Sequence, residues 1–343
     1  AVFGRVVGHE FLEWDDKAYI VHNPALERVS LASVRRLLTP GAMARERLYI
    51  PLTYLSLMGG QSAAAVHAVN LLLHVVNALL VYAFIRRLGH GRLRAWLVGA
   101  VFAVHPLQVE SVAWALGRKE VLSGLLALAS LLAYVGWREH RRWRWYGAAL
   151  ALFVLSLLAK PTTVVLPGLL VLLDYRDGTP VTRRDWLLKA PFAIFSLAVW
   201  QLTAALATAS PLPWRGHLLF AAYLPRVFNG WLQRLFLLEG TPVIYLTRSL
   251  DPASIRLLSY LPLLLAAAGV YAAWRLRARS IWFGAGFAVL AWLPGVSVLL
   301  AHSRYFYTAD RYSYLALPGV AYAMTAGLER WRRGRGAGPR LRQ

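Results

Sequence analysis

Apolar runs of about 18 residues or more recur along this chain, each long enough to span a hydrocarbon core roughly 30 Å thick. With 58% hydrophobic residues and 14 tryptophans among 343, it is far too apolar for one soluble domain of ordinary composition. The sequence predicts an all-α, polytopic helical membrane protein with about nine spans. They fall near residues 62–85, 95–105, 119–137, 145–159, 161–174, 188–208, 257–274, 281–301 and 312–329. The chain has no cysteine, which excludes a disulfide framework and a thiolate metal site. Its net charge of +22 sits in short loops between spans, a pattern that fits a membrane protein and not nucleic-acid binding.

Arginine clusters punctuate the spans at 86–94, 138–144, 176–184 and 275–279, and again in the tail. The positive-inside rule assigns those loops to the cytoplasm and residues 9–60 to the outside. The resulting expectation is four parts. Residues 1–8 read as the outer end of a first transmembrane helix cut short, and 9–60 as an extracytoplasmic loop with an acidic motif. Residues 61–329 read as the helical bundle, and 330–343 as a basic cytoplasmic tail. One apolar stretch, from Arg215 to Gly240, is interrupted by Pro225, Arg226, Asn229, Gln233 and Arg234. It reads as an amphipathic helix lying in the outer interface, the alternative being a span whose arginines face the bundle.

This topology gathers the polar motifs on the outer side. The first loop carries EFLEWDDKAYIVHN, where Asp15 and Asp16 stand side by side. Adjacent carboxylates repel unless a cation or a shared proton relieves them. They suit a general base, a divalent-cation site or, more blandly, a helix cap. Only four of the cations are lysines, Lys17, Lys119, Lys160 and Lys189. Lys119 and Lys160 sit at the mouths of spans, where compact ammonium groups meet phosphate oxygens or snorkel to the interface. Arg118 and Arg311 extend a possible anion clamp. His67, Asn70, His74 and Asn77 share one face of the second span. Such a stripe usually makes hydrogen bonds between helices, and only His67 is shallow enough to touch an outer site. No Gly-rich phosphate loop, nucleophile elbow or HExxH motif is present.

WDDKAYIVHN, LYIPLT, VNLLLHVVNALLVY, VFAVHPLQVESVAWALGRKEVLSGLLAL, LLAKPTTVVLPGLLVLLDY and TADRYSYLALPGV occur in that order. Together they resemble the membrane region of the transmembrane and tetratricopeptide-repeat O-mannosyltransferases and their bacterial relatives, of the GT-C glycosyltransferase class. The resemblance spans roughly residues 10–320. It implies a GT-C membrane fold, and a hexose such as mannose moved with inversion from a polyprenyl- or dolichyl-phosphate donor to a hydroxyl on a protein or glycan acceptor. It implies Asp15 and Asp16 as the catalytic acids and, if a divalent metal takes part, as its ligands. Donor phosphate binding falls to Arg118, Lys119, Lys160 and Arg311. His105, Glu110, Glu120, His67, Tyr245, Asp310 and Tyr312 are expected to support the site. It also implies a preceding span and following tetratricopeptide repeats outside these 343 residues. Such an enzyme would work at the extracytoplasmic face of a bacterial plasma membrane, or of the endoplasmic reticulum in a eukaryote. The competing reading is a transporter or flippase of lipid-linked or anionic solutes.

Overall fold

The computed structural model describes residues 2–13, 15–41, 48–178, 181–206, 214–237, 261–275, 278–302 and 309–336. Among these there are helices and turns but no strand. The first loop folds into short helices with their own caps. Asn23 accepts from the Ala25 amide (3.1 Å) to start α1 (Pro24–Glu27), and Ser30 accepts from Ser33 (3.0 Å) to start α2 (Leu31–Leu38). These are ordinary N-cap chemistries. After α3 (Pro51–Leu55), the loop closes on a small apolar core that includes Leu26, Leu37, Ile50, Tyr54 and Leu57. Val66, Ala115 and Leu116 from the bundle belong to the same core, so the loop is seated on the helices rather than hanging from them.

The bundle follows as α4 (Ala63–Arg87), α5 (Arg92–Val104), α6 (Val109–Ala113), α7 (Arg118–His140), α8 (Trp143–Ala159), α9 (Leu166–Asp177) and α10 (Arg183–Leu206). Then come α11 (Trp214–Leu237), α12 (Leu261–Arg275), α13 (Arg279–His302) and α14 (Leu317–Gly336). Each expected span thus has a helix. The helix at 118–140 and those at 63–87 and 183–206 are by themselves long and apolar enough to cross a membrane, and α5 with α6, bent by 55°, makes a possible fourth crossing. α5, α8 and α9 are shorter, and they border 3-10 turns that begin at two prolines, His105-Pro106 and Lys160-Pro161, where proline disfavours an α conformation in the residue before it. The stretch from 214 to 237 is one helix with Pro225 inside it. Four of its side chains, Val227, Trp231, Leu232 and Leu235, join the main core.

Close helix contacts depend on small residues, as is usual between membrane helices. A Cβ on Gly284 would lie 2.7 Å from the Gly319 carbonyl oxygen, so α13 and α14 cross backbone to backbone. At the end of the bundle far from the first loop, charges pair internally. Arg94 bonds Glu329 (3.0 Å) and Arg138 bonds Asp177 (2.7 Å). Lys189 meets Asp174 at 2.5 Å.

Candidate active site

The end of the bundle that carries the first loop is built around residues 105–120. This stretch alternates 3-10 turns with short α segments, which frees backbone amides for side chains. His105 opens it: its Nδ1 accepts from the Leu107 amide (3.2 Å), and its Nε2 faces the Leu235 carbonyl (3.1 Å). The imidazole therefore caps a turn and ties α11 to it. Gly117 closes the stretch. A Cβ there would sit 2.4 Å from the Ser111 carbonyl oxygen, so the glycine of GRKE is required by space and not by an unusual φ.

The two first-loop carboxylates differ in surroundings. Asp16 is fully buried. It accepts from the Leu12 amide (3.1 Å) and, across a hundred residues of sequence, from the Leu116 amide (3.2 Å). Burial pushes its carboxyl above the ordinary range, while those two amides, the His67 charge and the Trp114 side chain pull it back down. Asp15 is half-buried, and no hydrogen bond holds its carboxylate among the described residues. His67, 2% exposed, lies with its ring 6.4 Å from that of His9, near enough to Asp16 to feel its charge. Among the described residues no group of three His, Asp or Glu side chains is placed to hold a metal ion. Asp15 and Asp16 therefore lack a third protein ligand there.

The cations separate into two sets. Arg118 is 1% exposed and points into the bundle. Its guanidinium donates to Asn70 Oδ1 (2.5 Å), to the Ser56 carbonyl (3.0 Å) and to the Val66 carbonyl (3.1 Å). It is committed to joining α4, α7 and the loop after α3, and the structure does not bring it to the other three cations. Lys119, Lys160 and Arg311 do come together. Lys119 Nζ lies 5.1 Å from the Trp114 ring centroid, and the Arg311 guanidinium 5.2 Å from it. Arg311 lies 5.3 Å, and Lys160 Nζ 4.9 Å, from the Tyr312 ring. Each of the last two cations has a carboxylate: Lys160 pairs with Glu120, and Arg311 with Glu110, which also accepts from the Arg311 amide (2.8 Å). Glu120, Lys160, Arg311, Tyr312, Ser123 and Gly295 line a common cleft. Such a set can hold a phosphate and stabilise charge that grows on it.

The remaining expected residues are placed as follows. Asp310 is buried in an ion pair with Arg234 of α11 (3.0 Å). Tyr245 and Trp14 lie outside the described residues. The buried stripe on α4 makes helix-to-helix bonds. Asn70 donates to the Trp114 and Ala115 carbonyls (3.1 Å each). Asn77 donates to the Tyr314 hydroxyl (2.8 Å), which also meets His74 (2.9 Å). Sequence reasoning assigned no role to Trp114, whose ring touches two cations, nor to Arg234. The spacing of HPxxVExVxW carried the tryptophan in plain view, but its partners at 119 and 311 are set only by the fold.

Comparison with known proteins found similarity over part of the chain. Residues 49–214 match the model of the dolichyl-phosphate-mannose-protein mannosyltransferase family. Three protein O-mannosyl-transferases are similar. Tmtc1 of Drosophila melanogaster is 37% identical over 103 residues, covering 30% of this chain and 12% of its own length. Tmtc2 of the same fly is 35% identical over 126 residues, covering 35% and 13%. Human TMTC1 is 30% identical over 156 residues, covering 38% and 16%. No solved structure matches. The family match is narrower than the order of motifs, and it leaves Asp15, Asp16 and Arg311 outside it. Helices able to cross a membrane, the motif order and the match at residues 49–214 together identify an integral membrane chain that carries a mannosyltransferase-family segment and resembles the transmembrane O-mannosyltransferases over part of its length.

Proposed function

We propose that this chain is the membrane part of an enzyme that moves a mannosyl or similar hexosyl group from a polyprenyl- or dolichyl-phosphate donor to a hydroxyl on a protein acceptor. The reaction takes place at the extracytoplasmic face, in the orientation that the arginine loops favour. The observation that carries this reading is the meeting of Lys119 and Arg311 at the Trp114 ring, with Lys160 joined to Arg311 across the Tyr312 ring. Two of these cations, drawn from distant parts of the chain, adjoin a tryptophan whose side chain also bears on Asp16.

The chemistry follows from that arrangement. The donor's phosphate meets the three cations while its isoprenoid tail stays among the helices. As the bond from the anomeric carbon to the phosphate oxygen breaks, the electron pair goes to the phosphate, and the preorganised cations stabilise it. The acceptor oxygen forms the new bond on the opposite face, inverting the anomeric centre, and its proton passes to a carboxylate. Asp15 suits that role because its carboxylate is half-buried and uncommitted among the described residues. Asp16, locked by two amides, positions the loop. Arg118 supports the site from behind.

The test uses the full-length protein, purified in lipid, with radiolabelled polyprenyl-phosphate mannose and candidate acceptor proteins. Asp15→Asn is expected to lower transfer by about 10²-fold or more, the usual worth of a positioned base. Undiminished transfer by that variant would remove Asp15 from the mechanism. Wild-type protein that transfers no hexose from any polyprenyl-phosphate donor would sink the function itself.

A further inference from the structure

Five side chains in and beside the cleft alternate in kind, with Lys160, Tyr312 and Arg311 in its lining. Lys119, Trp114, Arg311, Tyr312 and Lys160 run as cation, ring, cation, ring, cation, with the four successive separations at 5.1, 5.2, 5.3 and 4.9 Å. Three cations brought this near to one another repel. An aromatic ring between two of them offers each a negative face and keeps the charges apart. The carboxylates are distributed unevenly. Glu110 serves Arg311 and Glu120 serves Lys160, whereas among the described residues Lys119 has a ring partner and no carboxylate. Lys119 is therefore the end of the row at which an incoming anion displaces nothing.

We propose that Trp114 and Tyr312 are positioning residues that hold the three cations as a spaced row, with Lys119 as the end where a lipid phosphate first docks. This deepens the reading of the site given above and rests on it for the identity of the ligand. Neither ring need touch the reacting atoms. Each acts through the cations it separates, so an aromatic replacement should keep most of the effect and an aliphatic one should not.

The probe is radiolabelled polyprenyl phosphate, and the readout is equilibrium binding to full-length protein in phosphatidylcholine nanodiscs, with no transfer step required. Trp114→Leu is expected to raise Kd about tenfold, the scale of a lost desolvated cation–π contact, and Trp114→Phe only about threefold. Lys119→Met is expected to cost about tenfold as well, and the double variant Trp114→Leu/Lys119→Met clearly less than the roughly hundredfold product of the two, because the ring acts in part through the lysine. A merely structural tryptophan would not show that coupling. Tyr312→Leu and Tyr312→Phe repeat the comparison on the second ring. Equal losses for Leu and Phe at Tyr312 overturn the proposal even where Trp114→Leu does not fold. Additive losses in the double variant overturn it too, as does wild-type protein that fails to bind polyprenyl phosphate. Wild-type protein that binds polyprenyl phosphate with the expected pattern, yet transfers no mannose, defeats the proposed reaction and leaves the row of cations standing.

Discussion

Replacing Arg118 with methionine separates two roles that its sequence position equally allows. In the GRKE motif Arg118 adjoins Lys119 and reads as a phosphate contact, but its guanidinium is buried on Asn70, Ser56 and Val66. Methionine keeps the length and apolar bulk while removing all donors. Asn70 Oδ1 then loses its partner, while the Ser56 carbonyl keeps Gln61 Nε2 (3.2 Å) and the Val66 carbonyl keeps its bond within α4. Each buried polar group left unsatisfied costs about 1–3 kcal/mol. Asn70 cannot turn its amide without giving up the Trp114 and Ala115 carbonyls, so one orphaned acceptor and two weakened ones should cost about 2–4 kcal/mol. For a chain of 343 residues that corresponds to a fall in Tm on the order of 3–6 °C. The assay is thermal unfolding in nanodiscs, followed by polyprenyl phosphate binding on the fraction that remains folded at low temperature. The expected result is a lower Tm with Kd within about threefold of wild type. An unchanged Tm together with a large loss of lipid phosphate binding would refute the reasoning and return Arg118 to the clamp.

Two further outcomes bear on the first loop. Because burial raises the Asp16 carboxyl above its ordinary value, the folded state holds that proton more tightly than the unfolded chain. The stability this contributes is complete below the unfolded pKa and is lost as pH rises through the raised folded one. Asp16→Asn should flatten this decline, seen as a smaller fall of Tm between pH about 4 and about 7 than in wild type; an identical decline in both proteins would contradict it. The chain has no cysteine, so Lys17→Cys introduces a single thiol at a side chain that is 39% exposed. A membrane-impermeant maleimide should label it from the extracytoplasmic side of sealed vesicles, and labelling only from the cytoplasmic side would reverse the topology.

The helices were largely legible in the sequence because hydropathy and helical length are local properties. Each of the nine expected spans coincides with a helix to within several residues, and the first loop folds as a seated unit between residues 9 and 60. The site was legible only as a set of candidates. Arg118 and Lys119 are neighbours in sequence, yet successive residues on a helix point about 100° apart. One therefore reaches back into the α4 face and the other out to Trp114. No pattern in a single sequence says which is which. The charge pairs Glu110 with Arg311 and Glu120 with Lys160 span 201 and 40 residues, so neither could be read as a local motif. Arg234 shows the same limit. It reads in sequence as an interruption of an apolar helix, while the fold gives it Asp310 as a counter-ion.

The bond from the Leu116 amide to Asp16, with Leu116 itself inside the first-loop core, has a consequence for building hybrids between related chains. The loop and the 105–120 stretch form a single exchangeable cassette, although residues 61–104, including all of α4 and α5, separate them. A chimera that imports a relative's loop alone would bring an acid with no amide waiting for it and a core cut for a different floor. Transplanting both pieces together moves the contact intact.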